Sequence, residues 1–304
     1  MQKPDKALFD LPVLFITFAR PDYARQTFDA IKRAKPQKLY FYSNKARTDH
    51  EDEVKRNEKV RSFIKEIDWE CKLELFFRDE YVDMFTSIWG AIDWIFENEE
   101  QAMILEEDCV PSVAFFHFCD QLLTEYKHDQ RIWLLSGNNI VSNYNQNNYD
   151  YIYSYFPYLY GWASWRDRWK KIFKDKLPYE EIVNYKLLNH IYFSKKYAKQ
   201  ALSRIKEIIN TPAWDYRFQL AMKCNGGLGI IPKENLVTNI GLFGENSKGK
   251  ANMLLHNPLS NKNIYNISKK PPFVVVDYDY NLFFLKHYYR KKNIFFRIIK
   301  RLKK

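Results

Sequence analysis

The first 140 residues alternate short apolar runs with amphipathic helical patterns, and this alternation limits the possible folds more than any other feature of the chain. Apolar runs predict strands at Leu11–Phe18, Lys38–Ser43, Lys72–Phe77, Ala102–Glu106 and Arg131–Ser136. Helical spacing predicts helices at Tyr23–Ala34, Asp52–Ile67, Thr86–Glu97 and Val113–Tyr126 between them. A strand that feeds a helix and then another strand returns to the sheet as a parallel crossover. The expected fold class is therefore α/β, a mostly parallel sheet with helices on both faces. Ligands of such sheets bind outside the carboxyl ends of the strands.

The second half reads less regularly. Ser142–Tyr153, rich in Asn and Tyr, is expected to be a loop. Helices are expected at Ser164–Phe173 and Ala198–Ile209. Thr211-Pro212 has the pattern of an N-cap followed by proline at the first helical position, opening a helix that runs from Pro212 to about Lys223. Asn225-Gly226-Gly227 ends that helix, and a short strand follows at Leu228–Ile231. The four cysteines show no Cys-x-x-Cys spacing and read as reduced, mostly buried thiols. Glycine-rich phosphate loops of the Walker or dinucleotide type do not occur. No apolar run is long enough for a membrane span, and the leading segment does not fit a signal peptide, so a cytoplasmic protein is expected.

Net charge is +11, which suggests nucleic acid until its distribution is considered. From Lys286 to Lys304 there are nine Lys or Arg and no acid, so the basicity belongs mainly to the tail. Within that tail Ile294, Phe295, Ile298, Ile299 and Leu302 form an apolar stripe at helical spacing, opposite Arg297, Lys300, Arg301 and Lys304. Such a helix can lie in a membrane interface and be drawn to anionic lipid. The plainer reading is a tail helix docked on the domain with a solvated basic face.

Chemistry concentrates at strand ends. Glu106-Glu107-Asp108 follows directly on the Ala102–Leu105 run. Clustered carboxylates there suit a hard divalent cation, Mg²⁺ or Mn²⁺, which takes oxygen ligands and keeps positions open for substrate phosphates. If the chain stays extended, Glu106 and Asp108 point one way and Glu107 the other. An acidic loop is the bland alternative. Arg20, before Pro21, follows the first strand; Asn44 follows the second; Arg78 follows the third. Guanidinium groups there suit phosphate or a base edge, although a solvated arginine and plain turn chemistry explain each residue alone. Asp215 falls in the first turns of a helix, where a carboxylate is favoured and can act as a general base. Trp162, Trp165 and Trp214 can stack on a sugar face or serve as core.

In this order the pieces resemble GT-A-fold, nucleotide-sugar-dependent glycosyltransferases. The resemblance is nearest to the group that includes N-acetylglucosaminyltransferase I-like enzymes and their bacterial relatives. It rests on Leu11-Pro12-Val13-Leu14-Phe15-Ile16 with Arg20, on Ile104 to Asp108, and on Tyr155-Phe156-Pro157 through Gly161-Trp162. Trp214-Asp215 and Pro232 to Gly241 complete it. The resemblance implies a GT-A domain over 1–250, with a nucleotide-sugar half at about 11–140 and an acceptor half at 141–250. Residues 251–304 are then a C-terminal extension ending in the basic amphipathic helix. It implies Asp108 as ligand of Mn²⁺ or Mg²⁺, Asp215 as catalytic base, and Arg20, Asn44, Arg78, Glu106, Glu107 and Lys248 on the donor side. Trp162, Trp165 and Trp214 would meet the acceptor.

The activity implied is inverting sugar transfer from a nucleotide-diphosphate donor, with UDP expected. The acceptor would be a glycan or a lipid-linked precursor of a bacterial surface polysaccharide such as lipopolysaccharide or capsule. The enzyme would be peripheral to the cytoplasmic face of the inner membrane. Two departures from the family stand out: Lys248 replaces an expected histidine, and Tyr81-Val82-Asp83-Met84-Phe85 lacks small and basic residues. They leave open a GT-A-like binding protein without catalysis. A nucleic-acid-binding protein that uses the tail is a third reading.

Overall fold

All of strand β1 (Phe9–Thr17) except Asp10 is buried, and β1 lies in the interior of the sheet between β2 (Pro36–Ser43) and β4 (Gln101–Glu106). The computed structural model describes residues 5–141, 148–211, 213–241 and 259–288. Helix α1 (Pro21–Ala34) joins β1 to β2. Helix α2 (Glu51–Arg61), tightening into a 3₁₀ turn at Ser62–Glu66, leads to β3 (Lys72–Phe77), and α3 (Met84–Asn98) leads to β4. The four strands run parallel in the order β3-β2-β1-β4. Register brings their carboxyl ends level: Thr17 opposes Ser43, Ser43 opposes Phe77, and Ile16 opposes Glu106. Pro12 has no N–H for the ladder, and the β1–β2 pairing is irregular between Phe9 and Pro12.

Beyond β4 the sheet continues with strands from the second half. In chain order the elements after β4 are the short β5 (Cys109–Pro111), α4 (Val113–Glu125), β6 (Ile132–Ser136), β7 (Tyr151–Ser154), β8 (Trp162–Trp165) and α5 (Arg166–Trp169). Then come α6 (Tyr179–Asn184), α7 (Leu187–Ile191), α8 (Lys195–Ile208), α9 (Trp214–Cys224), β9 (Leu228–Pro232) and β10 (Val237–Asn239). The large sheet has the order β3-β2-β1-β4-β8-β6-β9-β7, with β8 and β7 antiparallel to their neighbours. β5 and β10 form a separate two-stranded antiparallel ribbon. This is a mixed α/β, Rossmann-like architecture with a mostly parallel eight-stranded sheet, in agreement with the expected GT-A class.

Both faces of the sheet are covered, as parallel strands require. Val13, Phe15, Met103 and Leu105 enter one core with Phe28, Ile31 and Phe116; Leu14, Ile16, Ala102 and Ile104 enter the other with Ile92, Trp169 and Phe218. Residues 259–288 return to the same body. Tyr265 packs edge-on against Phe118, and Tyr280, Phe284 and Leu285, from the helical stretch 278–288, share a core with Ile152, Phe156 and Ile231.

Several sequence expectations are corrected. Ser164 and Trp165 do not open the helix expected at Ser164–Phe173 but end β8, inserted between β4 and β6, and only Arg166–Trp169 is helical there; Gly161, at φ +60°, turns the chain into β8. The expected loop at Ser142–Tyr153 includes strand: Tyr151–Ser154 pairs with β9, while 142–147 lie outside the described residues. Thr211 does not cap α9. Its hydroxyl donates back to the Ile208 carbonyl (2.8 Å) at the end of α8, and Ala213 holds the N-cap position without a side-chain bond. Pro212, Lys248 and the basic tail 289–304 lie outside the described residues. Among the described residues no helix is long and apolar enough to cross a membrane.

Candidate active site

The level strand ends form one edge, and α2 seals it. Asn57 Nδ2 donates to the carbonyls of Phe18 (2.6 Å) and Asn44 (3.0 Å). The Arg61 guanidinium donates to the carbonyls of Ser43, Asn44 and Arg78. Carbonyls at the ends of β1, β2 and β3 thereby find side-chain donors, that of Ser43 in addition to the Arg78 amide (3.0 Å). Neither Asn57 nor Arg61 was singled out by sequence reasoning; the available signal was their i, i+4 spacing on the helix expected at Asp52–Ile67.

Glu106 ends β4, and residues 107–108 make the turn into β5. The turn, rather than simple strand alternation, sets the carboxylates. Glu107 is buried and inward: its carboxylate accepts from the Phe18 amide (2.9 Å) and from Arg20 Nε (2.5 Å). Asp108 Oδ2 pairs with Arg20 Nη2 at 3.0 Å, while Oδ1 has Asn239 Nδ2 at 3.4 Å. Gly241 lies against this carboxylate so closely that a Cβ there would overlap it. Burial works against the Arg20 charge, yet Glu107 and Asp108 together hold its guanidinium well above the ordinary arginine range. Burial pushes Glu106 up to about 8; Asp108 adds to this, Arg20 opposes it, and Asp215 adds again.

Asp215 enters the same place from another element. It stands in the first turn of α9, half-buried, and with Glu106 it lines a cavity of about 490 Å³. Burial raises the Asp215 carboxyl, against hydrogen bonds from the Tyr216 amide and its own. Trp214, Tyr158, Tyr160 and Tyr216 form aromatic walls. Sugar faces and aromatic rings suit one another as flat, amphipathic surfaces.

The remaining expected site residues divide clearly. Trp214 is at the cavity; Trp162 stacks behind it (centroids 5.8 Å, interplanar 23°) and is 1% exposed. Trp165 is on the other face of the sheet, its indole N–H donating to the Leu123 carbonyl, because a strand sends positions 162 and 165 to opposite sides. Asn44 does not present a free amide to a ligand: Nδ2 donates to Val82 O (2.8 Å) and Oδ1 accepts from the Lys45 amide (3.0 Å). Arg78 makes no ion pair with Asp79 or Glu80 but donates through Nε to Tyr42 (2.5 Å) beneath α3. Asp83 caps α3, accepting from the amides of Phe85 and Thr86.

Among the described residues no group of three or more His, Cys, Asp or Glu side chains converges as a cage. Asp108 offers one oxygen shared with Arg20 and one met by the Asn239 amide at 3.4 Å and the Cys109 thiol at 3.7 Å. That donor set fits an ion of the Mg²⁺ type, which is held by one or two carboxylates and takes its other ligands from water and phosphate.

No protein-family model and no curated protein sequence matches the chain. Solved structures resemble parts of it distantly. A mannosyltransferase from Pyrobaculum calidifontis, in complex with GDP-Man and Mn²⁺, is 12% identical with a TM-score of 0.33 over 56% of this chain and 48% of that one. This chain thus spans about half the length of that enzyme. An apo UDP-glucose pyrophosphorylase is 8% identical with a TM-score of 0.37, covering 74% and 90%. HddC from Yersinia pseudotuberculosis is 9% identical with a TM-score of 0.33, covering 52% and 78%.

Proposed function

We propose that the protein is an inverting, divalent-metal-dependent glycosyltransferase that moves a sugar from a nucleoside-diphosphate donor, UDP being the expected nucleotide. The observation that carries this reading is the convergence of Glu106 and Asp215, from the end of β4 and the start of α9, on one aromatic-walled cavity; Asp108 does not line it but acts electrostatically on Glu106. Asp215 is the base. Its half-buried carboxylate has more affinity for a proton than an ordinary aspartate, which suits removal of a proton from a hydroxyl. As the acceptor O–H proton passes to Asp215, the oxygen bonds to the anomeric carbon and the carbon–oxygen bond to the diphosphate breaks. The nucleoside diphosphate departs, and attack from the face opposite it inverts the anomeric centre.

Glu106 faces the transferred sugar, and Trp214 presents an aromatic face to the acceptor. Arg20 orients Asp108 and holds Glu107 in place. When bound at Asp108, Mn²⁺ or Mg²⁺ supplies charge neutralisation for the leaving diphosphate. A glycan or lipid-linked acceptor in bacterial surface-polysaccharide assembly, reached from the cytoplasmic face of the membrane, fits the basic sequence of the tail.

The test is release of nucleoside diphosphate from a panel of nucleotide sugars with Mn²⁺ or Mg²⁺, and its loss in Asp108→Asn. Release that is unaffected by chelation and by Asp108→Asn sinks the metal assignment. No release and no binding of any nucleotide sugar sinks the transferase reading.

A further inference from the structure

The cavity that holds Glu106 and Asp215 is acidic at one end and basic at the other. Lys223, near the end of α9, lines it while only 7% exposed. Its ammonium has no carboxylate partner among the described residues. It donates to Gln219 Oε1 at 3.3 Å and sits 5.5 Å from the centre of the Phe156 ring. Arg204, on α8, lines the same cavity. It pairs with Glu207 through Nη1 (2.8 Å) and lies over Tyr216, while its buried Nε has no hydrogen-bond partner among the described residues. A buried charge is costly unless paired and hydrogen-bonded, and a buried donor without a partner is costly too. Two such groups facing one cavity mark a place where an anion completes them.

The geometry of α9 adds a ruler. Asp215, Gln219 and Lys223 are spaced i, i+4, i+8, and all three line the cavity. At a rise of 1.5 Å per residue, Lys223 stands about 12 Å along the helix axis from Asp215. We propose that this cavity selects an anionic ligand, an acceptor whose carboxylate or phosphate binds Lys223 and Arg204 while a hydroxyl roughly 12 Å away meets Asp215. Phe156, Leu220 and Phe284 border the basic end and keep water from the ion pair. The proposal rests on the transferase reading only in taking the ligand to be an acceptor; the anion site itself does not depend on catalysis.

The experiment measures binding to the full chain by calorimetry, with two independent arms. One arm titrates a panel of nucleotide sugars with Mn²⁺ and tests the transferase reading alone. The other compares a hexuronate-terminated disaccharide, its uncharged hexose counterpart and an isoprenyl diphosphate-linked disaccharide in detergent. Either anionic probe should bind about 10–100-fold more tightly than the uncharged one, as for a hydrogen bond to a charged group. The preferred anionic probe distinguishes carboxylate from phosphate. In Lys223→Met the preference should collapse, and in Lys223→Arg it should return in part; a denaturation curve confirms that each variant is folded. Equal affinity for charged and uncharged probes, or a preference that survives Lys223→Met, overturns the anion site. An anion preference with no nucleotide-sugar binding supports the site and sinks the transferase reading instead.

Discussion

Replacing Lys223 by methionine should make the protein more stable, and the size of the effect follows from its surroundings. Burial pushes the ammonium down from the ordinary lysine value of 10.5 to about 8, with no carboxylate to offset it. At about 1.36 kcal/mol per pH unit, keeping the charge in this site rather than in solvent costs roughly 3 kcal/mol. Between pH 8 and 10.5 the unfolded chain binds more protons than the folded one, so this contribution makes stability rise with pH across that window. Below pH 8 the lysine is charged in both states and the penalty is present in full.

Methionine fills similar volume without charge, so Lys223→Met removes the penalty and loses the 3.3 Å bond to Gln219. The expected net gain at pH 7 is about 2–3 kcal/mol. Urea denaturation at pH 7 and at pH 10 measures it, with the midpoint rising and the slope unchanged. The gain should shrink markedly at pH 10, where the wild-type lysine is already neutral in the folded state. A Lys223→Met protein that is less stable than wild type at pH 7, or a difference that is the same at both pH values, refutes the premise that the ammonium is buried unpaired.

Three further outcomes are expected. Arg20→Met leaves the Glu107 carboxylate with the Phe18 amide and the Asp108 carboxylate with the Asn239 amide and the Cys109 thiol, which should cost about 1–3 kcal/mol in a denaturation midpoint; adding Glu107→Gln should recover part of it. Gly241→Ala puts a Cβ into the Asp108 carboxylate, whose other contacts leave it little room; Mn²⁺-dependent nucleotide-sugar affinity should fall at least about ten-fold with the fold retained, and an unchanged affinity means that Asp108 does not hold the ion. Asp215→Asn should lower transfer by about 10²–10⁴ while sparing donor binding. In the wild type a base must be ionised, so transfer should be lost as pH falls through the raised Asp215 pKa, at higher pH than for an ordinary aspartate; an acid limb at or below the ordinary value contradicts the assignment.

The class of fold was legible in the chain because it depends on local periodicity. Apolar runs of strand length between helical patterns were enough to expect β1 to β4 and β6 with their helices, and Gly226 at φ +66° ended α9 as Asn225-Gly226-Gly227 implied. The acidic turn at the end of β4 was also visible, since a charged triplet after a buried run has few places to go. The second half was readable only in part: α8, α9 and β9 follow the expected patterns, while the aromatic segments before them do not. Short aromatic segments fit either a strand or a helix by pattern, and only pairing partners far along the chain chose β8 for Trp162–Trp165 and β7 for Tyr151–Ser154.

The site divides along the same line. Sequence by itself determined which residue types were available: carboxylates at 106–108, an arginine after β1, an aspartate at a helix start, and the i, i+4, i+8 row on α9. Tertiary structure alone decided how they are used. It gave Asn44 to Val82 and Arg78 to Tyr42, sent Trp165 to the far face, and bound Arg20 to Glu107 and Asp108. It also brought Lys223 and Arg204 to the cavity of Asp215. A side chain's partners depend on which strand lies beside it and which helix lies above. Those contacts join residues from 36 positions apart, as Arg78 meets Tyr42, to 131, as Asp108 meets Asn239, beyond the reach of any local pattern.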